Sequence, residues 1–275
     1  MDPRPIGVFD SGVGGLTVVR ALIDLMPREQ IVYFGDTARG PYGPRDRDEV
    51  RTFAAEISGY LVEQDVKVLV AACNSAASAG LDAIGVAHPA LPVVEVIEPA
   101  VRAAVKVTRN RRVGVIGTAL TIASGAYDRA VADTHENVTL IGRACPRFVE
   151  FVERGETAGP EIIGLAREYL APLADEDIDT LILGCTHYPL LTGVIHYVMG
   201  HDVALISSAE ETAKDVYAEL AARDGFRSGP QPRHRFVSSG DAGTFQTLGA
   251  RFLGPEIASV EERSLGPSDG VRRAV

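Results

Sequence analysis

The chain reads as an α/β protein of two pseudo-symmetric α/β lobes, with mostly parallel sheets and an active-site cleft between the lobes. Short β-branched runs alternate with helix-patterned segments, many of those runs are apolar without interruption, and two parts of the sequence repeat one another. Unbroken apolar strands are what a parallel sheet needs when helices cover both of its faces. Repeated strand and helix units place equivalent strand ends around a shared crevice.

The strand candidates run from Ile6 to Phe9, Ile31 to Phe34, Val66 to Ala71, Val93 to Val96 and Val113 to Ile116. They continue with Val138 to Ile141, Thr180 to Leu183, Val203 to Ile206 and Arg235 to Ser238. Between them, Val50, Phe53, Ala54, Ile57 and Leu61 recur at the spacing of one helical face. A further helix is predicted from Ser208, with Glu211 three residues on completing a capping box and Thr212, Ala213, Val216, Tyr217 and Leu220 along its buried side. After about residue 264 the tail has no periodicity and is rich in turn formers, which predicts poor order.

The repeat pairs Ile6-Gly7-Val8-Phe9-Asp10-Ser11 with Val113-Gly114-Val115-Ile116-Gly117-Thr118. It also pairs Val66 through Ser75 with Ile178 through His187 without a gap, and this aligns Cys73 with Cys185. The first lobe is therefore expected at residues 1–98 with 209–275, and the second at 99–208. Both cysteines should face the interlobe cleft, because open α/β sheets bind ligands beyond the carboxyl ends of their strands.

Composition narrows the function. A chain of 275 residues with 46% apolar and 23% charged residues can build a substantial core, so disordered and collagen-like readings are excluded. A net charge of −10 disfavours binding to a phosphate backbone, and no direct nucleic-acid binding is expected. The first residues lack a signal-peptide pattern and no run approaches the length of a membrane span, so a cytoplasmic protein with no membrane partner is expected. The three cysteines, Cys73, Cys145 and Cys185, fit neither a disulfide framework nor a CxxC site.

Alone, each cysteine reads as a small buried hydrophobe. Cys73 and Cys185 differ from Cys145 in sharing a repeat position, ending strands and preceding polar residues and helix starts, where amide N–H groups favour a thiolate. A catalytic pair is expected of them, and a structural role of Cys145. A thiol pair needs proton-handling neighbours, and Asp10 and His187 stand near in sequence. Asp10 reads equally well as a helix cap.

Other motifs are weaker. Gly12-Val13-Gly14-Gly15 followed by Asp36 has the outline of a dinucleotide site, but Thr17 occupies the position of its third glycine. The turn from Arg39 through Tyr42 to Arg45 could hold a carboxylate with its amides, phenol and arginines, or be an ordinary surface loop. His88, His135, His196, His201 and His234 show no metal-ligand spacing, so no metal is expected. Lys67, Lys106 and Lys214 are the only lysines, and all lie in strand or helix patterns, which argues against a pyridoxal phosphate imine.

The motifs Ile6 to Val18, Pro41-Tyr42-Gly43-Pro44-Arg45, Ala72-Cys73-Asn74-Ser75-Ala76 and Gly184-Cys185-Thr186-His187-Tyr188-Pro189 closely resemble those of the glutamate racemases, in family order over most of the chain. The resemblance implies a cofactor-independent enzyme that interconverts L- and D-glutamate, supplies D-glutamate for peptidoglycan and forms a homodimer. It implies that Cys73 deprotonates D-glutamate and Cys185 L-glutamate, with Asp10 assisting the first, His187 the second, and Glu153 supporting His187. Substrate contacts carried over are Asp10, Ser11, Tyr42, Gly43, Asn74, Ser75, Thr186 and His187, with Thr118 added from the repeat. Ser75 stands where threonine is commoner, and Gly40 where cysteine often precedes Pro-Tyr-Gly. The short lead before the first strand predicts no activation by a peptidoglycan precursor, and an inhibitory role on DNA gyrase is implied for some members only. The alternatives are an aspartate racemase, a related decarboxylase or hydantoin racemase, or a non-enzymatic binder of an acidic ligand.

Overall fold

The computed structural model describes residues 1–266, so the predicted disorder of the last nine residues lies outside the described residues. The strands are β1 (Ile6–Asp10), β2 (Ile31–Gly35), β3 (Val68–Ala71), β4 (Val93–Glu95), β5 (Arg112–Gly117), β6 (Thr139–Ala144), β7 (Thr180–Gly184), β8 (Ala204–Ser207), β9 (Arg235–Ser238) and β10 (Val260–Glu262). The helices are α1 (Leu16–Leu25), α2 (Arg47–Glu63), α3 (Asn74–Ala79), α4 (Asp82–Ala87), α5 (Ile97–Val107), α6 (Ala119–Ala123), α7 (Ala126–Asp133), α8 (Arg147–Arg154), α9 (Pro160–Ala174), α10 (Thr192–Met199), α11 (Ser208–Ala222) and α12 (Ala242–Leu253).

Two parallel sheets result, one ordered β10-β9-β2-β1-β3-β4 and the other β6-β5-β7-β8. The two-sheet α/β architecture expected from the unbroken runs is present, and β1, β2 and β7 are buried at every residue. The sequence repeat is also a repeat of register. Ile6 pairs with Val68 in the first sheet, and their repeat equivalents Val113 and Thr180 pair in the second. In each sheet the chain leaves a central strand, β1 or β5, for one neighbour and returns on the other side, so each has a switch-point crevice at its carboxyl end.

One hydrophobic cluster runs through both sheets, from Val8 and Val70 past Val96, Ile97 and Ala100 to Val115 and Leu181. Helix α11 packs on α1 and α5 and so belongs to this shared core. A second cluster, with Phe9, Phe34, Val50, Ile57 and Leu61, fills the other face of the first sheet beneath α2. Each such side chain contributes roughly 1.5–3 kcal/mol through burial.

Three local expectations need correction. The α11 cap falls on Ser207, which makes no side-chain cap bond, so Glu211 lies one residue beyond capping-box reach and pairs instead with Lys214 at 2.6 Å. Tyr217 of that helix is 45% exposed rather than buried. Strand β10 was not anticipated, because Val260 is the one apolar residue in Val260-Glu261-Glu262 at a sheet edge. Among the described residues, no helix is long and apolar enough to cross a membrane. Lys67 lies just before β3, buried against Glu29 at 2.6 Å, with its remaining bonds to the Asp2 and Gly225 carbonyls.

Candidate active site

The loops after β1, β3, β5 and β7 open on a cavity of about 450 Å³ between the sheets. Its wall includes Ser11, Tyr42, Gly43, Cys73, Asn74 and Ser75 from the first sheet's side. Thr118, Glu153, Cys185, Thr186 and His187 face them from the second. Among the residues expected at the site, Asp10 alone stays behind the wall. It is 1% exposed, and its oxygens accept from the Gly12 amide at 2.9 Å and the Thr186 hydroxyl at 3.3 Å. Helix α1 is capped at Gly15 without a side-chain bond, so Asp10 serves the loop before the helix. Burial raises its carboxyl above the ordinary value, opposed by charge on His187 and by the Gly12 and Gly15 amides.

Cys73 precedes α3, and its sulfur donates toward the Ser11 hydroxyl at 3.7 Å. Its position at the start of α3 suggested a favoured thiolate, but burial and then the charge of Asp10 outweigh the amides and push the thiol up to about 12. Cys73 therefore holds its proton in the free site. Cys185 is placed differently. Its sulfur lies 3.9 Å from His187 Nδ1, while His187 Nε2 lies 3.1 Å from Glu153 Oε1. Burial opposes charge on the imidazole, but the contacts with Cys185 and Glu153 prevail and raise it to about 10. Glu150, on the same helix as Glu153, is exposed.

Several donors face the cavity uncommitted or shared. Asn74 Oδ1 accepts from the Tyr127 hydroxyl at 2.7 Å, which fixes the amide, and its buried Nδ2 has no hydrogen-bond partner. A buried unpaired donor costs about 1–3 kcal/mol unless a ligand satisfies it. The hydroxyls of Ser75 and Thr118 meet at 3.0 Å across the cleft, and Thr118 meets Thr121 at 3.0 Å. A Cβ on Gly43 would lie 2.8 Å from Thr118, so glycine lets the Tyr42-Gly43 loop reach the opposite lobe.

The turn from Arg39 to Arg45 does not present its arginines or phenol to a ligand. Asp36, fully buried, accepts from the Tyr42 hydroxyl, from Arg39 Nε at 2.7 Å and from Ser239 Oγ at 2.7 Å. Arg39 also reaches Glu56, and Arg45 reaches Glu49 and the Arg39 carbonyl. Tyr42 and Gly43 thus line the cavity while the charged groups hold the loop. The same network removes Asp36 as a ribose ligand. Cys145 lies off the cavity, buried, with its carbonyl accepting from Tyr188.

Sequence reasoning missed the wall formed by Gly240, Asp241, Thr244, Phe245 and Leu248 at the start of α12. The signal was available, since β9 was predicted to end at Ser238 and carboxyl strand ends face the crevice. Among the described residues, no group of three or more His, Cys, Asp or Glu could hold a metal ion.

Residues 6–216 match the family model described as Asp/Glu/Hydantoin racemase. The chain is 56% identical over 277 residues to a glutamate racemase of Parafrankia sp., covering 100% of this chain and 98% of that one. A glutamate racemase structure from Bacillus anthracis superposes with a TM-score of 0.89 at 42% identity, covering 96% of this chain and 97% of that one. One from Francisella tularensis, in complex with D-glutamate, gives 0.91 at 37% identity, covering 96% and 99%. Full-length likeness in sequence and fold, joined to two strand-end thiols in one cleft, means that the chain belongs to the Asp/Glu/hydantoin racemase family.

Proposed function

We propose that the chain is a cofactor-independent glutamate racemase that moves the α-proton of L- or D-glutamate between Cys73 and Cys185. The observation that carries this reading is the opening of two repeat-equivalent thiols on one cavity, where each can address one face of a bound α-carbon. The Parafrankia relative bears the name glutamate racemase, and the Francisella structure contains D-glutamate.

In the L-to-D direction Cys185, as the anion, takes the α-proton and becomes a thiol. Cys73 then gives its own proton to the opposite face and is left as the anion. The two sulfurs exchange roles, and a return of the proton to Cys73 completes the cycle. The raised Cys73 thiol suits the donor role, and an imidazolium 3.9 Å from the Cys185 sulfur gives its negative charge a counter-ion. The free Asn74 Nδ2, the hydroxyls of Ser11, Ser75 and Thr118, and the backbone amides around Gly43 and Thr186 would receive the substrate carboxylates. Asp10 and Glu153 act through Thr186 and His187.

The lobes in this reading are residues 1–98 with 209 onward, and 99–208. A cytoplasmic homodimer supplying D-glutamate for peptidoglycan completes the proposal. The test is to supply each enantiomer of glutamate and of aspartate, without cofactor, in D₂O and to follow optical rotation and α-deuterium. Exchange with inversion is expected for glutamate, and exchange on aspartate alone would overturn the substrate. Cys73→Ser and Cys185→Ser should each abolish racemisation, whereas Cys145→Ser should be nearly silent. Binding without exchange would make the chain a binder.

A further inference from the structure

We infer that Arg251 and Phe252, at the end of α12, are positioning residues that hold the His187–Glu153 pair in place from the opposite lobe. Helix α12 begins at the cavity with Thr244, Phe245 and Leu248 and ends beside that pair. The Phe252 ring stands edge-on to His187, with centroids 5.4 Å apart at 82°. The Arg251 guanidinium donates to the backbone carbonyl of Glu153.

That carbonyl lies in the last turn of α8, where helix geometry leaves C=O groups without intrahelical partners. A cation is favourable there because it meets the negative end of the helix dipole. Gly155, at φ +80°, ends α8, and a Cβ on it would sit 3.0 Å from Arg251 Nη1. Glycine therefore leaves room for the guanidinium over the turn that carries Glu153. Two adjacent residues of α12 thus fix both members of one hydrogen bond, the imidazole by its ring and the carboxylate by its backbone.

The titratable groups facing His187 are Cys185 on its own turn, Glu153 on α8 and Asp10 at the end of β1. Helix α12 adds the uncharged Phe252 ring, and Arg251 itself is exposed, so water screens its direct effect on the imidazole. Loss of Arg251 acts chiefly by loosening Glu153, which lowers the proton affinity of His187.

This inference rests on the reading of Cys185 and His187 as one proton-handling unit, and its main readout does not require turnover. The His187 imidazole is titrated by NMR in the full-length chain, in Arg251→Ala, Arg251→Lys and Phe252→Leu. Arg251→Ala and Phe252→Leu should each lower the midpoint by about half a pH unit or more, and Arg251→Lys should restore most of it. The value of kcat should fall by about tenfold in the first two while KM stays within about twofold, as for a misaligned catalytic group. If Arg251→Ala fails to fold, Phe252→Leu decides the matter. An unmoved His187 titration in a folded variant overturns the inference whatever happens to the rate. A parent chain that titrates as described but racemises nothing would defeat the functional reading and leave this one standing.

Discussion

The Thr186 hydroxyl donates to Asp10 Oδ2 at 3.3 Å, tying the strand-end turn of one sheet to the buried end of the central strand of the other. Beside it, the Thr17 hydroxyl donates to the Thr186 carbonyl at 3.2 Å. The turn that carries Cys185 and His187 is therefore positioned by the first lobe as well as by its own. Polar contacts at this boundary set the geometry of the thiols, while the apolar core spanning both sheets supplies the stability.

Asp10→Asn should make the protein more stable and less active. Burial raises the native carboxyl above its unfolded value of 3.8, so its favourable contribution is complete below that value and is lost as pH rises through the native one. An amide keeps an acceptor for Gly12 and offers a donor to the Thr186 hydroxyl. Thermal unfolding should shift upward by a few degrees at pH 8, about 2–4 °C per kcal/mol, and by almost nothing near pH 4. The value of kcat should fall about 10- to 100-fold, because the charge beside the thiols is gone. A lower midpoint at pH 8 would refute this account of Asp10.

Gly14→Ala should damage catalysis and cost about 1–3 kcal/mol of stability. A Cβ at this position would overlap Thr186 Oγ1 and lie 2.5 Å from His187 Nδ1. Both atoms belong to the opposite lobe, so the added methyl pushes the lobes apart at the site. A displacement of about 1 Å costs on the order of 10²-fold in rate. Steady-state kinetics and a thermal melt on one preparation separate this from misfolding.

These positions were readable from sequence to different degrees, for physical reasons. A strand end follows from where an apolar run stops, so Cys73 and Cys185 could be placed at one cleft from the runs and the repeat alone, while Ser11 came from the family resemblance and Thr118 as its repeat equivalent. The direction of a long side chain does not follow from a run. Arg39, Tyr42 and Arg45 therefore read equally as carboxylate ligands or as a plain surface loop, whereas Arg39 and Tyr42 turn inward to Asp36 and Arg45 bonds the Arg39 carbonyl. Cys73 exposed a similar gap, since the start of a helix is visible in sequence but the depth of burial that outweighs it is not. The wall from α12 lies outside the repeat, so only the end of β9 at Ser238 pointed toward Asp241 and Phe245.

Tyr42→Phe tests the inward reading of that loop directly. If the hydroxyl bound substrate, its removal would raise KM by one or two powers of ten. Because it donates to buried Asp36, the expected result is a loss of about 1–3 kcal/mol of stability, with KM changed less than about threefold. Urea unfolding and initial rates distinguish the two, and a large KM effect at unchanged stability would return the phenol to the ligand set.

The His187 proton gives the most direct pH test. Its native value is raised from 6.5 to about 10, so between those limits the folded chain holds a proton that the unfolded chain has released. Stability from this residue is therefore complete below 6.5 and declines as pH rises through about 10, with a slope of at most ~1.4 kcal/mol per pH unit. His187→Gln should flatten that decline in urea midpoints measured from pH 6 to 10. Activity adds a second constraint. The two enantiomers of glutamate have equal free energy in water, so kcat/KM must be equal in both directions at every pH. Loss of the His187 proton can shift kcat and KM separately for L- and D-glutamate, but the alkaline fall in kcat/KM must coincide for the two. Coincident limbs in the parent chain that move together to lower pH in Glu153→Gln would identify His187 as the titrating group, whereas unmoved limbs would exclude it.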